Sequence, residues 1–141
     1  MAGVNTRRVA LGAVLGAVVW NILGYVVDGV ILAPHYPEAQ AAGHYLKEPR
    51  YPFFMFYWIV TIFIVAYILA WFYAAMRGTM GPGPGTALKV GFFAGFTIAF
   101  PMSLAEATWL PADRIFVLWH MVDLWVGAIL STFVAGWIYK D

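Results

Sequence analysis

The chain has 141 residues, of which 63% are hydrophobic, 18% aromatic and only 11% charged, with a mean hydropathy of +0.79. A soluble domain carries roughly 25% charged residues, so there is too little charge here to cover a water-facing surface, and a net charge of +1 without a long basic run gives no reason to expect a nucleic-acid partner. Cysteine is absent, which excludes disulfides, thiolate chemistry and cysteine-bound metals.

Four apolar runs follow one another, at about residues 9–32, 53–76, 87–107 and 115–138. Each matches the ~20 residues that cross a hydrocarbon core about 30 Å thick at 1.5 Å per residue. The expected fold is therefore all-α: one integral membrane domain over residues 1–141, a bundle of four transmembrane helices with no soluble module. Arg7 and Arg8 precede the first run, but it is about twice as long as a secretory h-region and no small-x-small site closes it, so it reads as a retained span.

The loops set the expected topology. With the N-terminus cytoplasmic, Arg7, Arg8, Arg77, Lys89 and Lys140 lie inside, and Lys47, Arg50 and Arg114 outside. That bias favours both termini in. Trp58, Trp109 and Trp119 then fall near the outer boundary, and Trp71, Tyr73, Trp137 and Tyr139 near the inner one, as aromatic belts.

After the first span, APHYPEAQAAGHYLKEPRYP (33–52) has four prolines and two histidines and reads as an outer loop that caps the bundle or docks a partner. His35 and His44 share no helical period. The inner connection RGTMGPGPGT (77–86) alternates Gly and Pro, which turns the chain. It is no phosphate loop, since no Lys-Ser/Thr follows and no strand precedes. In WLPADR (109–114), Asp113 is placed to cap the fourth helix.

LGAVLGAVV (11–19) and VGFFAGFTI (90–98) both carry Gly-x-x-x-Gly, and each is followed 15 or 16 residues after its first glycine by an acid, Glu106 or Asp28. This suggests two repeated helical hairpins.

At 100° per residue, Ala10, Ala13, Ala17, Asn21, Gly24 and Asp28 share a stripe of the first span. Phe116, His120, Asp123, Gly127 and Ser131 share one on the fourth, and Gly91, Gly95, Ala99, Met102 and Glu106 a quadrant of the third, with Pro101 a source of bending. Small residues let helices approach in lipid, and polar side chains avoid hydrocarbon by facing neighbours. The first, third and fourth spans should thus meet along these stripes, leaving the bulky second span most exposed to lipid or facing a partner. By helical rise, Asp28 is about 6 Å, His120 about 8 Å, Asp123 about 12 Å and Asn21 about 16 Å from the outer ends of their spans. Glu106 is at the outer boundary. Asp28 is expected to meet His120, and Asn21 to meet Asp123.

Three readings of these groups stand side by side. As interhelical polar contacts, Asn21, Asp28, His120 and Asp123 fix register, each bond contributing about 0.6 kcal/mol. As an outward-opening pocket, His120, Asp123, Asp28 and Glu106 bind a divalent metal or relay protons, because imidazole with carboxylates is a credible ligand set and intramembrane ionisable groups mark function. As a pigment site, His120 is the axial ligand of a tetrapyrrole. No Ser-His-Asp spacing and no His-Glu-x-x-His occurs, so the reading leans away from an enzyme and leaves the question open.

RRVALGAVLGAVVWNILGYVVDGVILAP (7–34), a span holding Asn and Asp and ending in Gly-Val-Ile-Leu-Ala-Pro, is similar to the opening of a group of small, uncharacterised four-span bacterial membrane proteins. The resemblance covers the first helix, with chain length and span number in agreement. It implies a bacterial inner-membrane location and carries no activity or site residue with it. The expectation drawn is a structural or accessory subunit in the lipid bilayer, within a larger membrane complex or a homo-oligomer; the alternatives are the metal- or proton-handling pocket and the tetrapyrrole subunit.

Overall fold

The computed structural model describes residues 3–139, so Lys140 and Asp141, which enter the expected topology, lie outside the described residues. Helix α1 (Thr6–Val26) starts at Asn5, whose side chain accepts a hydrogen bond from Arg8 N at 3.2 Å and satisfies one of the free N–H groups of the first turn. Beyond Val26 the helix does not stop. It widens into a π-turn (Val27–Ile31), tightens into a 3₁₀ turn (Ala33–His35) and ends as the short helix α2 (Tyr36–Ala41). The first part of the expected loop is therefore helical. Pro34 and Pro37 sit at the starts of their turns, where a missing N–H breaks no helical bond.

The other spans are α3 (Phe54–Met80), α4 (Pro84–Trp109) and α5 (Arg114–Ile138). Four helices are thus long and apolar enough to cross a membrane, as expected. Asp113 caps α5 by accepting from Ile115 N at 3.1 Å. The Gly-Pro connection is shorter than its composition suggests: only residues 81–83 lie outside helix, and Gly81 and Gly83 take positive φ (85° and 125°) to reverse the chain. Helix α4 runs through Pro101 without ending.

The four long helices form an up-down-up-down bundle. Helices α3 and α5 touch each other and both remaining helices, whereas α1 and α4 do not meet. This corrects two expectations. The first and third spans do not meet, and the second is not an outlying helix, since Ile62, Ala66, Leu69, Ala70, Tyr73 and Ala74 bury one side of it, while its other side keeps the expected exposed apolar surface, with Phe56, Ile64 and Phe72 among it. On α4, Met102 points outward and the neighbouring Ser103 is buried instead.

Glycines bring α5 close to its partners. A Cβ on Gly12 would stand 2.9 Å from Ala135 Cα, and one on Gly16 2.6 Å from Ser131 Oγ; Gly24 lies against Asp123, and on α5 Gly127 lies beneath the Trp20 indole. Steps of four up α1 match steps of four down α5, the register of antiparallel helices using their i, i+4 ridges. From the other side, Gly91 of α4 meets Ile129 backbone and Gly95 meets Trp125, whose Nε1 donates to Phe92 O at 3.1 Å. Both Gly-x-x-x-Gly motifs therefore dock on the same helix, α1 from the opposite hairpin and α4 from its own. Duplicated hairpins would have placed them in equivalent positions, so the two motifs do not mark a structural repeat.

At the end that carries the termini, Tyr73 and Tyr139 are buried and do not form a lipid-facing belt. The Tyr139 hydroxyl accepts from Asn5 N (2.8 Å), the Tyr73 hydroxyl from Gly83 N (3.2 Å), and the Arg77 guanidinium lies 4.7 Å from the centre of the Tyr139 ring. The opposite, far end is closed by Val27, Leu32, Ala39 and Phe116.

Candidate functional site at the far end of the bundle

The π-turn carries the first acid. Inserting an extra residue per turn re-aims the side chains that follow it, and such bulges recur at functional sites. Asp28, its second residue, faces α5, and there His120 Nε2 lies 3.1 Å from Asp28 Oδ1. The Tyr36 hydroxyl, from the first turn of α2, donates to the same oxygen at 2.8 Å. Opposite an ionised Asp28, which can only accept, the imidazole is the donor from Nε2. One carboxylate oxygen thus ties together α1, α2 and α5. The site is open: the side chains of His120 and Asp28 are 34% and 42% exposed.

Aromatic packing holds Tyr36 in place. The Tyr36, Tyr45 and Phe116 rings form a triangle with centroids 4.8–5.5 Å apart, folding the segment after α2 back over the start of α5. Gln40 Nε2 donates to Leu46 O at 3.2 Å and closes the same fold. Tyr45 lies outside the spans, and burial pushes its phenol above the ordinary value of 10.0, with the negative charges of Glu106 and Asp28 adding to the effect.

One turn inward from His120, Asp123 is 3% exposed, with its carboxylate against Gly24. Its Oδ1 has no hydrogen-bond partner; neither has the Nε1 of Trp20 nor the Oγ of Ser131, both buried further along the same α1–α5 seam.

The expected constellation is therefore partly assembled. Asp28, His120 and Asp123 lie along one seam, and Tyr36 joins them. Asn21 is elsewhere: its Nδ2 donates to Ala17 O of its own helix at 2.9 Å, and it lines a groove between α1 and α3. Glu106 stays on α4, which does not reach α1, and its charge is felt at Tyr45. Among the described residues no three His, Asp or Glu side chains converge so as to hold a metal ion. His35 and His44 are exposed on the cap. The ring nitrogen of His120 that faces Asp28 is already engaged, which leaves a tetrapyrrole only the other.

Tyr36, Tyr45 and Trp20 are the residues that sequence reasoning missed. The two tyrosines lay in a segment whose prolines suggested a loop, although prolines three apart at helix starts were a usable signal. Trp20 was hidden because a stripe of small residues suggested a small partner, and a tryptophan fits there only where Gly127 stands opposite. No protein-family model matches the chain, and no curated protein or solved structure matches it.

Proposed function

We propose that this chain is a structural or accessory subunit of a bacterial inner-membrane assembly, with both termini cytoplasmic and the Asp28–His120 end on the outer side. The observation that carries the reading is the position of Asn21. It lies about 16 Å from the outer end of its span, near the bilayer midplane, yet it lines a surface groove with Val18, Ile22, Tyr25, Ile59 and Phe63 and does not face the bundle interior. Amides at that depth act between transmembrane helices, and apolar side chains around one polar group suit a partner helix bearing its own hydrogen-bonding residue. The α1–α5 seam, closed by Gly12 and Gly16 against α5, offers no passage through the chain, which fits a scaffold better than a carrier.

The test is the size of the native particle in mild detergent. The parent is expected to run as a complex of fixed stoichiometry with a second membrane protein, and Asn21→Leu with Phe63→Ala to release the chain as a folded monomer. A parent that is monomeric, or assembled only with copies of itself, overturns the accessory reading.

A further inference from the structure

The charges around Asp123 do not balance. From α1 it is faced by Asp28, and on its own helix by His120. The cap brings Tyr36 and Tyr45, and α4 brings Glu106 beside Tyr45. The only charged residue of α3 is Arg77, at the terminal end beneath Tyr139, and the only other charged residue of α4 is Lys89, also toward that end. One imidazole is thus shared by two carboxylates, and its Nε2 is directed to Asp28. Asp123 itself is almost fully enclosed; its Oδ1 completes no hydrogen bond, and the neutral Trp20 indole N–H is the donor nearest it across the seam. An ionised carboxylate there gives up its hydration without a full set of donors to replace it. A bare cation would need several ligands, and no three His, Asp or Glu side chains converge to supply them among the described residues. The occupant that fits is a proton.

We propose that Asp123 is a proton-binding site, loaded and unloaded from the far end of the bundle through the His120–Asp28 pair. A hydronium ion at the open end gives a proton to the ring nitrogen of His120 that Asp28 does not hold, leaving water and an imidazolium. The imidazolium then gives that proton to the Asp123 carboxylate, so that this N–H bond breaks, one O–H bond forms, and the ring returns to neutral with Nε2–H still on Asp28. Asp28 stabilises the imidazolium in between, and Tyr36 holds Asp28 in position. Further inward the seam tightens to Gly16 on Ser131 and Gly12 on Ala135, so the proton enters and leaves on the same side. This is a store that senses the pH of one face, and it is independent of the partner-helix reading.

Infrared pH-difference spectra of the full chain in liposomes test this directly. The parent is expected to show a protonated-carboxyl C=O band at neutral pH that is lost in Asp123→Asn, a near-isosteric change. In His120→Gln the band is expected to persist, with hydrogen–deuterium exchange at the carboxyl slowed at least tenfold. Should Asp123→Asn fail to fold, carboxyl-¹³C aspartate labelling of the parent gives the same answer, because one of its four aspartates must remain neutral at neutral pH. Four ionised aspartates would overturn the site, and unchanged exchange in His120→Gln would overturn the route.

Discussion

Trp20 of α1 lies directly over Gly127 of α5, with its indole nitrogen in the space where a Cβ at that position would stand. One turn further along both helices the relation reverses, and Gly24 of α1 makes room for Asp123 of α5. Each helix thus contributes one large or polar side chain and one glycine, at i and i+4, so the two surfaces interlock in a single register.

Gly127→Ala should be disruptive, because the added methyl would displace a buried tryptophan ring that has no alternative space. Overpacking of this kind costs about 1–3 kcal/mol. Gly24→Ala meets the Asp123 carboxylate only at 3.5 Å, an ordinary contact, and should be neutral or slightly stabilising, since alanine is the better helix former by up to about 1 kcal/mol. Thermal unfolding in detergent should therefore separate the two variants, with Gly127→Ala well below the parent.

The Asp28–His120 contact is half exposed and should be modest. A double-mutant cycle of Asp28→Asn and His120→Gln is expected to give a coupling of about 0.6 kcal/mol, the usual size for interhelical hydrogen bonds in membrane proteins. Denaturant unfolding in mixed micelles measures it. Zero coupling would mean that the 3.1 Å contact holds nothing together.

Tyr45 predicts an alkaline transition in the cap. Its phenol titrates above 10.0 in the folded chain, so the folded state holds that proton more tightly than the unfolded state does. The stability this contributes is complete below about pH 10 and is lost as pH rises through the folded-state value. Limited proteolysis of the 42–53 segment should accelerate in that alkaline range, and Glu106→Gln should move the tyrosinate absorbance change to lower pH.

At the turn between α3 and α4, Gly83→Ala should cost about 1–3 kcal/mol, because alanine is strained at φ 125°. Gly78→Ala, on α3 with open space around it, should not. Comparing their melting temperatures isolates the backbone term from any loss of packing.

Span number and approximate limits were legible because length and hydropathy alone decide them. The meeting of Asp28 with His120 was legible too, since depth and face put both near one membrane boundary. Asn21 was misplaced for a geometric reason. A stripe drawn at 100° per residue groups Asn21 with Gly24, but the row that α5 selects is Gly12, Gly16, Trp20 and Gly24, and position 21 falls on the α3 side of it. Glu106 shares the depth of Asp28 but stands on a helix that α3 and α5 keep away from α1. Neighbourhood among helices is not written in any one helix's periodicity. The π-turn at Asp28 has no sequence signature beyond Gly29, which packs under Tyr25.

Since α5 follows α1, α3 and α4 in chain order, it is the last of them to leave the ribosome. Until then the glycine rows of α1 and α4 lack the helix they pack on, and α1 and α4 do not meet each other. Assembly must therefore finish in one late step, when an incoming helix is gripped on two sides at once. A nascent chain stalled before residue 114 should remain loose in the membrane and open to quality-control proteases.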